Sequence, residues 1–101
     1  MNENSVVNIA GYKFEPLENP IDLVRMYQQK CDELKLKGTM LISKTGINFS
    51  LAGTKEATDA IISFLEEDDR FLNIPLKVTY SETQPFRRMK VRLKKEIISL
   101  G

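Results

Sequence analysis

The run FRRMKVRLKK, residues 86 to 95, gathers positive charge: six of its ten residues are Arg or Lys and none is acidic. The whole chain carries 15 basic and 14 acidic residues, a net charge of only +1. If the run is a strand, successive side chains point to opposite sides. Arg88, Lys90, Arg92 and Lys94 then share one side, and Met89, Val91 and Leu93 the other. Alternate strand residues recur about every 6.6 Å, a spacing comparable with that of phosphates along a nucleic-acid strand. Like charges placed this way repel, and the remedy is either carboxylates across the sheet or an anionic polymer. Arg87, Arg88, Lys90, Arg92, Lys94 and Lys95 are therefore the candidate nucleic-acid contacts. The three arginines strengthen this reading, because a guanidinium fork matches phosphate oxygens. The competing explanation is that an edge strand carries Lys merely to discourage pairing with other sheets.

Other chemistry finds less support. The chain has no His and a single Cys, Cys31. A zinc site of the common Cys/His kind and a His-based catalytic triad are both excluded. The glycines of TGINFSLAG bracket a strand instead of opening a helix, so this is not a dinucleotide loop. Gly53-Thr54 stands at a helix start, a position that favours an anion in almost any protein. The run Glu66-Glu67-Asp68-Asp69 lacks the alternating ligand spacing of a calcium loop and reads as a solvated helix end. Cys31 falls on the apolar face of a helix and reads as a small core residue. No cofactor and no metal are expected. The aromatics placed to stack on bases are few, namely Phe49, Tyr80 and Phe86. The RNA-recognition-motif signature, a basic residue followed by Gly and alternating aromatics, is absent.

The elements that must position the basic run follow from local patterns. Residues 5 to 14 are rich in β-branched and aromatic types and predict a first strand. Asn19 is expected to cap a helix from about 20 to 35, with Pro20 at its first position and Asp22 near the positive dipole end. Ile21, Val24, Tyr27, Cys31 and Leu34 fall near one face of it. Gly38 is expected as its C-terminal cap. Residues 39–44 and 47–52 read as two strands, with Gly46 supplying the positive φ of the turn. Thr54 should cap a second helix, 54–68, burying Ala57, Ala60, Ile61, Phe64 and Leu65. Phe71, Leu72 and Ile74 should pack the connection to a fourth strand, LKVTYSE, after Pro75. The basic run follows the Gln84-Pro85 break. The order β-α-β-β-α-β with an extra C-terminal strand predicts an α+β, ferredoxin-like (acylphosphatase-like) sandwich, both helices on one face of the sheet.

The totals agree with one globular domain over residues 1–101: 42% of the residues are hydrophobic and 29% charged. A lone cysteine allows no internal disulfide and fits a reducing compartment. No apolar run approaches the ~20 residues needed to cross a bilayer, and MNENSVVNIA lacks the features of a signal peptide. The chain is expected to be cytoplasmic and to have no membrane partner. The apolar ending Ile97, Ile98, Leu100 reads as leading onward into a longer protein.

Two segments, GINFSLAGT (46–54) and PFRRMKVRLKKEIISLG (85–101), with DDRF (68–71) between them, resemble the N-terminal domain of the rhodanese-related tRNA uridine hydroxylases. That family typically shows EGINGTIAG, then DPRF, then PFRRLKVKLKKEIV. The resemblance covers residues 38–101 closely and the first strand and helix loosely. It implies an acylphosphatase-like domain preceding a rhodanese domain, in an oxygen-dependent enzyme that converts wobble uridine of certain tRNAs to 5-hydroxyuridine. It also implies that the family's catalytic cysteine lies in the rhodanese domain, so Cys31 inherits no role. The implied partners are tRNA and a C-terminal rhodanese domain of the same chain. The implied role is an accessory one, either tRNA binding or docking of the rhodanese domain. Thr45 and Phe49-Ser50 depart from the Glu and Gly-Thr of EGINGT. An acylphosphatase-like hydrolase is a further alternative. Acylphosphatases use a Gly-rich loop with an Arg after the first strand, and GYKFEPLENP has neither.

Overall fold

The computed structural model describes residues 5–95. The elements run β1 (Val6–Phe14), α1 (Pro20–Glu33), β2 (Lys37–Ser43), β3 (Gly46–Gly53), α2 (Lys55–Glu66), a 3-10 turn (Asp69–Phe71), β4 (Leu76–Ser81) and β5 (Met89–Leu93). The five strands form one sheet in the order β4-β1-β3-β2-β5. The first four strands pair antiparallel, as the ferredoxin-like pattern requires, and β5 joins parallel to β2 at the edge. The fold is thus the expected α+β sandwich with an added strand.

One core lies between the helices and the sheet. Ile9, Met40, Ile42, Ile47, Phe49 and Leu51 enter it from the strands, Leu23, Tyr27 and Cys31 from α1, and Ile61 and Leu65 from α2. Tyr27 sits at the centre, with edge-to-face contacts to Phe64 and Phe71 at 5.3 and 6.3 Å between ring centroids. Such pairs add attraction beyond the area they bury.

Several local expectations are corrected. Asn19 occupies the cap position of α1, but its side chain caps nothing; its carboxamide oxygen instead accepts from Nη1 of Arg70 at 3.1 Å. The guanidinium, a stronger donor than a backbone amide, has taken the acceptor. Gly38 does not end α1. Lys35 takes the left-handed conformation, φ 57°. Lys35 N–H donates to Asp32 O and Leu36 N–H to Cys31 O, at 3.1 and 3.0 Å. This is the double closure of a Schellman motif, with Leu36 buried behind it. Gly38 lies within β2, where a Cβ would meet the carbonyl oxygen of Ser50 at 2.1 Å.

The stripe of α1 that turns inward is Pro20, Leu23, Tyr27 and Cys31, an i, i+3, i+7, i+11 series. Ile21 is exposed instead of core-facing, and so is Leu72. In α2, Ala57, Thr58, Ile61 and Leu65 are buried while Ala60 and Phe64 are half-buried. Thr54 caps α2 as expected, accepting from Ala57 N–H at 3.0 Å. Gly46 has the expected positive φ. Ile97, Ile98 and Leu100 lie outside the described residues.

Candidate nucleic-acid interface

Strand register decides which side chains stand together. Thr39 is paired with Lys90 and Leu41 with Arg92 across the β2–β5 ladder. Met40 is paired with Val91, and both of these are buried in the core. Lys90 and Arg92 therefore occupy the sheet face turned away from the helices. Backbone bonds extend the pairing one residue each way, Gly38 N–H to Arg88 O at 2.8 Å and Lys94 N–H to Ile42 O at 2.7 Å. Arg88 and Lys94 thus continue the same alternation. All six candidates, Arg87, Arg88, Lys90, Arg92, Lys94 and Lys95, are exposed. The ion pairs among the described residues, Lys13–Glu15, Lys55–Asp59 and Asp68–Arg70, involve none of them.

Two glutamines hold this strand in place. Gln28 of α1 accepts from Val91 N–H at 2.9 Å and donates to Met89 O at 3.3 Å, covering the outer edge of β5. Gln84 donates to Ala52 O at 3.1 Å and accepts from Phe86 N–H at 3.2 Å, tethering the connection that leads into β5. A cleft beside it is lined by Gly38, Thr39, Phe86, Arg87, Arg88 and Lys90. Arg87 thus shares this cleft with Arg88 and Lys90. Lys95 lies beyond the strand end and outside this cleft.

The apolar side of the run is only partly as expected. Met89 is half-buried and Val91 buried, but Leu93 is 50% exposed. It is the last residue of β5.

The register also reveals what sequence reasoning missed. Lys77, Ala10, Ser50, Thr39 and Lys90 stand abreast across all five strands, and Tyr12, Asn48, Leu41 and Arg92 form the next row. Asn8, Ala52 and Lys37 continue the face on the other side. Among the described strand residues of this open face, Lys37, Lys77, Lys90 and Arg92 are cationic and none is a carboxylate. Tyr12 and Phe14 lie on it as an edge-to-face pair with centroids 5.8 Å apart, 42% and 55% exposed. Of the aromatics expected to stack, Phe49 is buried in the core. Tyr80 is exposed but pairs with Val7 on the helix side of the sheet. Only Phe86 adjoins the basic residues. The missed signal was the alternation of β1, in which Val7 and Ile9 face inward, so that Tyr12 and Phe14 must face out.

Two backbone donors of the segment after β1 are already taken. Glu15 N–H donates to Thr45 O and Leu17 N–H to Lys44 O, both at 2.9 Å. These donors are committed to the β2–β3 turn, and no Arg stands nearby in sequence. Among the described residues no cluster of His, Cys, Asp and Glu could hold a metal ion. No described helix is long and apolar enough to cross a membrane.

Fold and open face together define a ferredoxin-like domain of the acylphosphatase-like kind. Residues 6–97 match the family model of the UPF0176 acylphosphatase-like domain, and the chain belongs to that family. It is 47% identical over 95 residues to a tRNA uridine(34) hydroxylase of Cupriavidus metallidurans, covering 94% of this chain and 34% of that protein. To the protein of the same name from Bordetella avium it is 46% identical over 97 residues, covering 96% of this chain and 40% of the other. The chain thus spans a third to two fifths of the length of these curated relatives. Among solved structures, the BLUF protein BlrB in its dark state superposes with a TM-score of 0.72 at 16% identity, over 93% of this chain and 74% of that one. Full-length HypF in its phosphate- and nucleotide-bound form superposes with a TM-score of 0.56 at 18% identity, over 91% of this chain and 12% of that one. At these identities the likeness concerns the fold alone.

Proposed function

We propose that this chain is the tRNA-binding accessory domain of a tRNA uridine(34) hydroxylase. In this reading the parent enzyme converts wobble uridine to 5-hydroxyuridine with molecular oxygen, in the cytoplasm. The domain needs no cofactor of its own and performs no chemistry. Arg87, Arg88, Lys90, Arg92, Lys94 and Lys95 would contact backbone phosphates. The observation that carries the reading is a basic strand whose charges make no ion pair among the described residues, bordering a sheet face on which no described strand residue is a carboxylate. Such an array costs electrostatic energy until an anionic partner relieves it. The names of the relatives supply the class of polyanion. Phosphate contacts of this kind position a nucleic acid without reading its sequence.

A titration of isotope-labelled chain with tRNA at two salt concentrations tests the proposal. Binding is expected to weaken steeply as salt rises, because each neutralised phosphate releases counterions. Replacing Arg88, Lys90, Arg92 and Lys94 with Gln should flatten that dependence. Absence of chemical-shift change across residues 86–95 at low salt would overturn it.

A second reading has one observation in its favour, the length of the relatives beyond this domain. The basic strand would then dock a rhodanese domain of the same protein, and its neutralisation would loosen the two domains without affecting tRNA.

A further inference from the structure

The basic strand accounts for only one border of the open face. Three strands away, on β1, Tyr12 and Phe14 hold their rings in the open. Exposed aromatics on a sheet face whose described strand residues include cations and no carboxylates are a poor surface for a protein core to cover, since cations there would lose solvent without gaining partners. They suit a partner that is both anionic and rich in flat rings. We infer that the open sheet face is a stacking platform for unpaired nucleotides of RNA, with Tyr12 as its principal stacking residue. This deepens the tRNA-binding reading and rests on it for the class of partner.

The dimensions fit. Adjacent strands lie about 4.8 Å apart, so Tyr12 and Arg92, in one row, are separated by roughly 14 Å at the backbone. The Arg92 side chain spans part of that gap, which leaves room for a base on Tyr12 with a neighbouring phosphate on the β5 side. On the other flank, Lys77 stands in the row of Ala10 and Ser50. A depression of about 430 Å³, lined among others by Ala10, Tyr12, Asn48, Ser50 and Lys77, opens at this point. Its floor is small because Ala10 and Ser50 are small, and a base can lie flat over them against the tyrosine ring. Lys77 at its rim is a phosphate contact that the basic strand does not supply. A duplex cannot use such a platform, because its bases are already stacked on each other. The inference therefore separates unpaired from paired RNA, which the phosphate contacts alone do not.

The test titrates the chain with a labelled oligouridylate, an RNA duplex of equal length and a polyphosphate, at fixed salt. Wild type, Tyr12→Ala, Tyr12→Phe and the Arg88→Gln/Lys90→Gln/Arg92→Gln variant are compared. Tyr12→Ala is expected to weaken oligouridylate binding roughly 5- to 150-fold, to leave duplex and polyphosphate affinity within twofold, and to keep the salt slope. Tyr12→Phe keeps the ring and should bind within about threefold of wild type. The charge variant should weaken all three probes and flatten the slope. If Tyr12→Ala and Tyr12→Ala/Phe14→Ala both bind oligouridylate like wild type, the platform is wrong and the phosphate reading stands. If Tyr12→Ala weakens all probes equally, stacking is likewise overturned. If the charge variant binds like wild type while Tyr12→Ala does not, the basic-strand assignment fails and the platform survives. Failure of every probe at low salt overturns both.

Discussion

The carboxamide of Gln28 on α1 accepts from Val91 N–H and donates to Met89 O on β5, so a helix side chain takes the place of a missing strand. The outer side of β5, which no other strand pairs among the described residues, is thereby held. Replacement of Gln28 by Ala should cost on the order of 1–3 kcal/mol, because two part-buried backbone groups lose partners. Gln28→Glu should recover little, since a carboxylate can accept from Val91 but cannot donate to Met89. Amide exchange at Val91, measured against wild type, should quicken in both variants. Unchanged protection there would mean that β5 is held by its β2 ladder alone.

Two glycines make opposite demands. At Gly38 the backbone has φ 130° and a Cβ would lie 2.1 Å from the carbonyl oxygen of Ser50. The first is strain in the residue's own backbone, and the second cannot be relieved without moving β3. At Gly53 the nearest obstacle is the Cδ2 of Leu36, 2.7 Å away, the tip of a flexible side chain. Gly38→Ala should therefore destabilise by more than about 3 kcal/mol or prevent folding, and Gly53→Ala by about 1–2 kcal/mol. Urea unfolding of the two variants gives the ranking directly.

Asp68 caps the 3-10 turn, accepting from Arg70 N–H at 3.0 Å, while its carboxylate also holds the Arg70 guanidinium at 2.7–3.3 Å. The side-chain hydrogen bond to Arg70 holds its carboxyl below the ordinary 3.8. A depressed carboxyl contributes stability that is present above its unfolded value and is lost as pH falls through the folded one. Asp68→Ala should cost about 1–2 kcal/mol at pH 7. Asp68→Asn, which can still cap, should cost less. The gap between Asp68→Asn and wild type should close as the pH drops below about 4, followed by thermal unfolding across that range.

Most of the fold was legible because its elements are locally consistent. The Thr54 cap, the Gly46 turn and the apolar period of α2 each pointed to one answer, and the order of elements named the topology. What failed was decided by partners far along the chain. Asn19 has the right chemistry for a cap, but Arg70, brought there by folding, claims its oxygen. Gly38 looked like a helix terminator, yet its role is set by the close passage of β3. The basic side of β5 was readable from alternation alone. The aromatic pair was not singled out, although its strand was recognised, because its meaning depends on which neighbours share its face. Tyr12 gains significance only beside Ser50, Leu41 and Arg92, and only strand register brings these together.

The basic residues should matter little for stability. They are exposed and make no ion pair among the described residues. Substitution of Arg88, Lys90 and Arg92 by Gln should shift the unfolding free energy by no more than about 0.5 kcal/mol, and relief of repulsion favours a small gain. Denaturant unfolding at low and high salt checks this. A large loss would show that the strand's charge is structural, and any loss of RNA binding in the same variant would then have to be ascribed to unfolding.

Cys31 offers the last test, and it uses pH to separate burial from reactivity. The thiol is fully buried on α1. Burial, aided by the nearby Asp32 charge, pushes it up from 9.0 to about 12. It should react slowly with alkylating reagents in the folded protein, because the thiolate is the nucleophile. A group whose folded value is raised contributes stability that is complete below its unfolded value and is lost as pH rises through the folded one. Between pH 9 and 10 the unfolded thiol ionises while the folded one does not, which lowers wild-type stability by up to about 1.4 kcal/mol per pH unit. Cys31→Ala should cost about 1 kcal/mol at pH 7 through a small cavity, yet it has no thiol to ionise in the unfolded state. The difference between the two proteins should therefore shrink from pH 8 to pH 10 and approach zero or reverse. Denaturant unfolding at the two pH values measures it. A constant difference, or rapid alkylation of the folded protein, would mean that the thiol is accessible and that Cys31 is not the core residue its helical position makes it.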